Sequence, residues 1–303
     1  MKKMYGVNTP LSCPMTKTGE VDYEGLKNLC NFLVEHGIHG LYPNGSTGEM
    51  CYLTLEERKK ILEVTVETVA GRSNVFAMVG ANTTRDTIEL AQHAEKVGAD
   101  GIGVVTPYYF KLSDAELIQY FVDVAKSVSP DFPVYLYGIP QLAVNDVTPA
   151  MAEAIVKQCP NVVGVKYSYP DMIKMLKFMD VNNGNFSVLT GPEDLFYAIL
   201  ASGGDGVISG SSNVMPEYFV AIYDAFKAGN YELAAKLQAK TNRILAILNA
   251  PGHMSRYKVG MRYRGIIEDA TMRRPLQEIT AEEEKTMLAA LEAMDFLDPS
   301  TVV

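Results

Sequence analysis

The feature that most constrains the fold is an eightfold alternation of short apolar segments with longer amphipathic ones, which continues to about residue 228. The short segments are β-branched or otherwise apolar runs, as buried strands are. The longer segments, such as DYEGLKNLCNFLVEHG and SDAELIQYFVDVAKSV, are apolar at helical spacing. We predict eight strands, at residues 4–10, 40–43, 75–80, 101–107, 133–138, 162–167, 186–191 and 205–210.

This strand–helix rhythm, with a period of about 28 residues, favours an α/β fold of the (β/α)8 TIM-barrel type. Apolar strands joined by helices need a parallel sheet covered on both faces, and eight such units favour closure. The alternative is an open doubly wound sheet, but its usual G-x-G-x-x-G turn is replaced after the first strand by NTPLSCPMT. Beyond the barrel the pattern is helical only. We therefore predict a catalytic barrel domain at 1–228 and a C-terminal helical subdomain at 229–303, packed on the barrel.

Composition limits the partners. The net charge of −9 argues against nucleic acid or an acidic membrane as a partner, because phosphate binding needs clustered Lys and Arg. We find no signal peptide or membrane span in the pattern and expect a cytoplasmic protein. The cysteines and histidines lack metal-ligand spacing, so we expect reduced core thiols, no disulfide framework and no metal site. These residues are Cys13, Cys30, Cys51, Cys159, His36, His39, His93 and His253.

Lys166 ends the sixth predicted strand, VVGVKY, which otherwise looks built for burial. The carboxyl ends of barrel strands face the active site. An ammonium moved into an apolar interior loses hydration, so burial favours the neutral amine, which attacks carbonyl carbon. The alternative is a lysine that only ends its strand and extends its ammonium to solvent.

Tyr137 ends the neighbouring fifth strand in the segment YLYGIP. A phenol beside the lysine could relay protons, because imine formation and carbon–carbon cleavage each need a proton moved. The alternative is a core tyrosine with a satisfied hydroxyl, as we expect for Tyr135 and Tyr197.

The segment YPNGSTGEM follows the second strand. Gly45 and Gly48 allow a tight turn whose N–H groups converge, and Ser46 and Thr47 add hydroxyl donors. This combination suits a carboxylate without a formal positive charge, although G-S-T-G is also a common structural turn.

Further polar or backbone groups follow the other strands. Tyr108 and Tyr109, in TPYYFK after the fourth strand, are either rim packing or a second phenol. The remaining candidates at the same predicted rim are Gly191, Glu193 and Asp194 after the seventh strand and residues 208–210 after the eighth.

Five motifs in order carry a resemblance that covers essentially the whole chain: GSTGE at 45–49, TPYY at 106–109, YGIP at 137–140, GVKYS at 164–168 and GVIS at 206–209. Together they resemble the dihydrodipicolinate synthase/N-acetylneuraminate lyase family of class I aldolases.

The resemblance implies a (β/α)8 barrel with C-terminal helices, usually a homotetramer, that acts on pyruvate or another 2-oxo acid without a cofactor. It implies that Lys166 forms the Schiff base and that Tyr137 shuttles protons. Ser46 and Thr47, with Gly48, would hold the pyruvate carboxylate. Tyr109 would reach a neighbouring subunit's site, and the backbone carbonyl of Ile208 would line the pocket.

One departure bears on the substrate. Synthases of this family carry Arg two residues after the YxxP proline, where this chain has Leu142, which cannot make a charge-assisted bond. Neuraminate lyases and sugar-acid aldolases of the family often have Leu there. In contrast, Ala143 and Val144 depart from the residues usual at their positions, and the Thr common two places after the lysine is Ser168, which we include among the substrate-binding candidates.

These patterns support the hypothesis of a Schiff-base lyase that cleaves a 4-hydroxy-2-oxo acid, with 2-keto-3-deoxygluconate and N-acetylneuraminate as candidate substrates. One alternative is dihydrodipicolinate synthase, which condenses pyruvate with aspartate semialdehyde. The other is a non-catalytic 2-oxo acid binding protein, for which an aligned nucleophile and acid/base would have no use.

Overall fold

The computed structural model describes residues 1–302. Its eight strands close into a barrel in sequence order, which confirms the predicted (β/α)8 fold. All eight predicted strands are present. Seven of them are shorter than predicted at one or both ends, and the strand at 162–167 has the predicted bounds. The strands are β1 (Gly6–Pro10), β2 (Gly40–Tyr42), β3 (Asn74–Met78), β4 (Gly101–Val105), β5 (Val134–Gly138), β6 (Val162–Tyr167), β7 (Ser187–Thr190) and β8 (Gly206–Ile208).

Helices alternate with the strands and then continue alone to the C-terminal region, as the pattern predicts. Several begin at a residue whose side chain accepts a hydrogen bond from the first turn; Thr54 and Ser113 complete such caps with a Glu three residues later. The helices are α1 (Tyr23–Glu35), α2 (Leu55–Val69), α3 (Thr84–Lys96), α4 (Asp114–Lys126), α5 (Pro140–Ala143), α6 (Pro149–Val156), α7 (Met172–Met179), α8 (Phe196–Ala201), α9 (Pro216–Lys227), α10 (Tyr231–Leu248), α11 (His253–Tyr263) and α12 (Ala281–Glu292).

Close contacts within the chain define two compact units. Unit 1 comprises residues 1–5 and 74–208, and unit 2 comprises residues 6–73 and, of the described residues, 209–302. Unit 1 carries β3 to β8, and unit 2 carries β1, β2 and the C-terminal helices. The predicted domain boundary between residues 228 and 229 stays a prediction.

The strands are buried along their whole length, as expected for a barrel covered by helices. Within residues 1–302, no helix is both long and apolar enough to cross a membrane.

Candidate active site

Lys166 and Tyr137 lie side by side in unit 1. They are partners in the parallel pairing of β5 with β6, so their side chains leave the sheet on the same face. Lys166 Nζ lies 4.2 Å from the centroid of the Tyr137 ring. Lys166 is 4% exposed and Tyr137 is 2% exposed. The lysine therefore does not extend into solvent, and a phenol ring packs directly against its amine.

One layer toward the amino ends of the same strands, an aromatic ring fills the space beneath Lys166. Gly164 pairs with Tyr135, and a Cβ on Gly164 would lie 2.4 Å from Tyr135 Cε1. The Tyr135 hydroxyl accepts a hydrogen bond of 2.9 Å from the backbone N–H of Met4, and burial raises the pKa of this phenol. Tyr135 is thus the core tyrosine that we predicted, and Gly164 is required by its ring. Tyr197, in contrast, is only half-buried.

Three more predicted residues follow the carboxyl ends of β6 and β7. Gly191 donates its backbone N–H to the Tyr167 carbonyl at 2.8 Å, and a Cβ on Gly191 would lie 2.0 Å from Ser168 Oγ. The Ser168 side chain therefore packs over the Gly191 backbone. Glu193 begins a 3₁₀ turn (Glu193–Leu195) and is buried, with 6% exposure.

Tyr109 has a different environment from the other candidates. Tyr109 is 79% exposed, and its ring lies 5.1 Å, between centroids, from the ring of the similarly exposed Phe110. Its φ of 84° is in the left-handed region, which a tyrosine rarely adopts. The expected reach of Tyr109 into a neighbouring subunit stays a prediction.

Asn145, which the sequence analysis did not single out, holds the loop that carries Tyr109. Asn145 is fully buried, and its Nδ2 donates to the carbonyls of Pro107 and Phe110, each at 2.8 Å. Its Oδ1 accepts from the Leu112 backbone N–H at 2.9 Å. These three hydrogen bonds of the Asn145 side chain fix the backbone on both sides of Tyr109.

In unit 2, the segment GSTGE forms a 3₁₀ turn (Ser46–Gly48). Ser46 and Thr47 are half-buried, whereas Gly48 is buried. A Cβ on Gly48 would lie 2.8 Å from the Leu11 carbonyl oxygen, so only glycine allows this close approach. Because Ser46 and Thr47 open the turn, their backbone N–H groups have no acceptor within it. Hydroxyls and N–H groups together suit a carboxylate.

Of the cysteines, Cys13, Cys30 and Cys159 are buried free thiols, as predicted. Burial raises the pKa of Cys13 and of Cys30 to about 12, which keeps both protonated. The prediction of a core thiol is wrong for Cys51, which is exposed because only Met50 of its 3₁₀ turn (Met50–Tyr52) faces inward. Among residues 1–302, no group of three His, Cys, Asp or Glu side chains could hold a metal ion.

Comparison with curated proteins gives relatives of two kinds. The chain is 36% identical over 276 residues to 4-hydroxy-tetrahydrodipicolinate synthase of Brucella abortus biovar 1 (strain 9-941), covering 91% of this chain and 93% of the relative. It is 38% identical over 233 residues to the putative 2-dehydro-3-deoxy-D-gluconate aldolase YagE of Escherichia coli (strain K12), covering 76% of each.

Solved structures of the same two kinds share the fold. Dihydrodipicolinate synthase from Aquifex aeolicus matches with a TM-score of 0.91 at 32% identity, over 97% of this chain and 99% of that one. YagE from E. coli K12 in complex with pyruvate matches with a TM-score of 0.92 at 31% identity, over 96% and 99%.

The model of the dihydrodipicolinate synthetase family matches residues 3–294. This match covers almost the whole chain and agrees with the relatives and with the fold. The chain therefore belongs to the dihydrodipicolinate synthetase family and is an enzyme of the lyase type.

Proposed function

We propose that this enzyme is a pyruvate-dependent class I aldolase that reversibly cleaves a 4-hydroxy-2-oxo acid through a Schiff base on Lys166. The observation that carries the proposal is the buried Lys166 amine, 4.2 Å from the Tyr137 ring centroid at the carboxyl ends of two paired strands. The complex of the related YagE with pyruvate supports a 2-oxo acid as the ligand.

The Lys166 amine adds to the C2 carbonyl of the substrate, and water leaves to give a protonated imine. The electrons of the C3–C4 bond then move toward the imine as the bond breaks, and Tyr137 takes the proton of the C4 hydroxyl, so that an aldehyde leaves. The remaining enamine gains a proton at C3, and water releases pyruvate and the free amine. The imine is the electron sink, so the proposed chemistry needs no cofactor.

The other roles follow the family pattern. Ser46 and Thr47 bind the substrate carboxylate, with Gly48 required by the turn. The Ile208 carbonyl and the Ser168 and Gly191 groups line the pocket. Tyr109 completes the proton relay of a neighbouring subunit in a homotetramer. Sedimentation of the purified protein tests the tetramer, and a monomer would exclude the shared relay.

We propose a sugar acid, such as 2-keto-3-deoxygluconate or N-acetylneuraminate, as the substrate. Leu142, on α5, is 65% exposed and offers no charge to a second carboxylate. The missing charge favours a hydroxylated aldehyde as the second product over aspartate semialdehyde as a co-substrate, because the carboxylate of the semialdehyde would lack a charged partner at this position.

Synthase activity is the second candidate, because a curated relative of that name is 36% identical over 91% of the chain. A screen for pyruvate release from 4-hydroxy-2-oxo acids, run beside an incubation with pyruvate and aspartate semialdehyde, separates the two. Turnover of a sugar acid without condensation supports the proposal. Robust condensation would overturn the interpretation of Leu142.

A further inference from the structure

Glu49 closes the GSTGE motif and has no role in the proposed chemistry. Its φ of 61° is in the left-handed region, at the junction of two 3₁₀ turns. Glycine adopts this conformation more readily than glutamate does, so the turn alone does not explain a glutamate here. Its side chain supplies the explanation.

The Glu49 carboxylate is buried and has charged and backbone partners. Oε1 lies 2.5 Å from Lys258 Nζ, and the two side chains are 0% and 1% exposed. Oε2 accepts the backbone N–H of Arg273 at 2.8 Å. Lys258 Nζ also donates to the Thr271 carbonyl at 2.7 Å. The ion pair therefore joins the GSTGE motif to α11 and to the segment 271–273, all within unit 2.

A buried ion pair is weak evidence of a stabilising role, because desolvation offsets the attraction. The ion pair nevertheless fixes the position of Glu49, since displacing Glu49 would leave the buried ammonium of Lys258 uncompensated. Glu49 directly follows Gly48, whose backbone packs against Leu11. The Ser46–Gly48 turn is thus held from one side by backbone contact and from the other by a charge.

We propose that Glu49 and Lys258 are positioning residues that set the Ser46–Gly48 turn in the geometry needed to bind the substrate carboxylate. This inference rests on the proposed function, because the turn matters to catalysis only if it binds that group. Neither side chain contacts substrate; Lys258, from the C-terminal helices, acts through Glu49.

The test uses Glu49→Gln, Lys258→Met and the double variant, which removes both charges and leaves no unpaired buried ion. Pyruvate is trapped on each protein with borohydride over a range of concentrations. We expect the half-saturating pyruvate concentration to rise about ten- to a hundredfold in each single variant, as displaced positioning groups cause. The trapping rate at saturation should stay within about threefold, because the amine and phenol are untouched.

Glu217→Gln is the matched control. Glu217 Oε1 lies 2.6 Å from Arg264 Nη2, in another poorly exposed ion pair of unit 2. This variant loses a comparable ion pair but should keep the half-saturating pyruvate concentration of the wild type. If the two residues act as one unit, the half-saturating pyruvate concentration of the double variant is no higher than that of the single variant that binds pyruvate more weakly. Half-saturation in Glu49→Gln equal to that of the control would overturn the proposal.

Hydrogen exchange of the amides at 44–52 gives a readout that needs no ligand. We expect faster exchange in Glu49→Gln and Lys258→Met than in the wild type, and no change there in Glu217→Gln. If the wild type traps no pyruvate, the proposed function fails, while this exchange difference still supports the positioning. Unchanged exchange in all variants would refute the positioning itself.

Discussion

Replacing Asn145 should release the loop that carries Tyr109. The side chain makes three hydrogen bonds, to the backbone of Pro107, Phe110 and Leu112, and is fully buried. At about 1 kcal/mol net for each bond, Asn145→Ala should lower the free energy of unfolding by about 3 kcal/mol. The left-handed backbone conformation of Tyr109 adds strain of about 1–3 kcal/mol, and the hydrogen bonds from Asn145 keep the loop in this conformation.

Urea unfolding measures the loss as a lower midpoint with an unchanged slope. Hydrogen exchange should become faster at residues 107–112. Asn145→Asp keeps the side-chain size and should destabilise at least as much, because a carboxylate would then face two carbonyl oxygens. The control is Gln141→Ala, which removes one exposed bond to the Ser168 carbonyl and should change stability by less than about 0.5 kcal/mol. A midpoint for Asn145→Ala equal to that of the control, with unchanged exchange, would refute the anchoring.

Three further variants test other parts of the structure. Gly164→Ala places a Cβ 2.4 Å from Tyr135 Cε1 and should cost about 1–3 kcal/mol or more in unfolding free energy; a wild-type urea midpoint would contradict the close packing. Tyr137→Phe should reduce turnover about 10²- to 10⁴-fold while keeping some pyruvate adduct on Lys166; wild-type rates would remove the phenol from the mechanism. Burial alone would raise the pKa of Glu57, but hydrogen bonds outweigh it and lower this pKa below its ordinary value of 4.5. The resulting stability is present above that value and is lost as the pH falls through the lower folded pKa, so Glu57→Gln should be less stable near neutrality and should lose less on acidification; parallel stability curves against pH would contradict this.

The barrel could be predicted because its signal is periodic: a short apolar run followed by a longer amphipathic segment recurs eight times. The adjacency of Lys166 and Tyr137 follows from the same topology, since residues that end neighbouring parallel strands meet at one edge. The positions of the strand ends are predicted less accurately, because turn residues after a strand, such as Pro43, are as apolar as the strand itself.

The supporting residues could not be predicted because their signal is not local. Asn145 is an ordinary loop residue until the fold brings three backbone groups to its amide. Lys258 counts as polar in any hydropathy pattern, and the opposite charge that pairs with it when buried comes from Glu49, which is far away in sequence. Cys51 shows the reverse error, since a residue type that is usually buried lies on the exposed side of a short turn.

Borohydride reduction in the presence of pyruvate, read by peptide mass spectrometry, tests the central claim most directly. The account predicts one reductively attached pyruvate on the peptide that contains Lys166 and none in Lys166→Met, whose side chain retains the volume but not the amine. An unmodified wild-type protein that still binds pyruvate would contradict the account and would favour a non-catalytic 2-oxo acid binder.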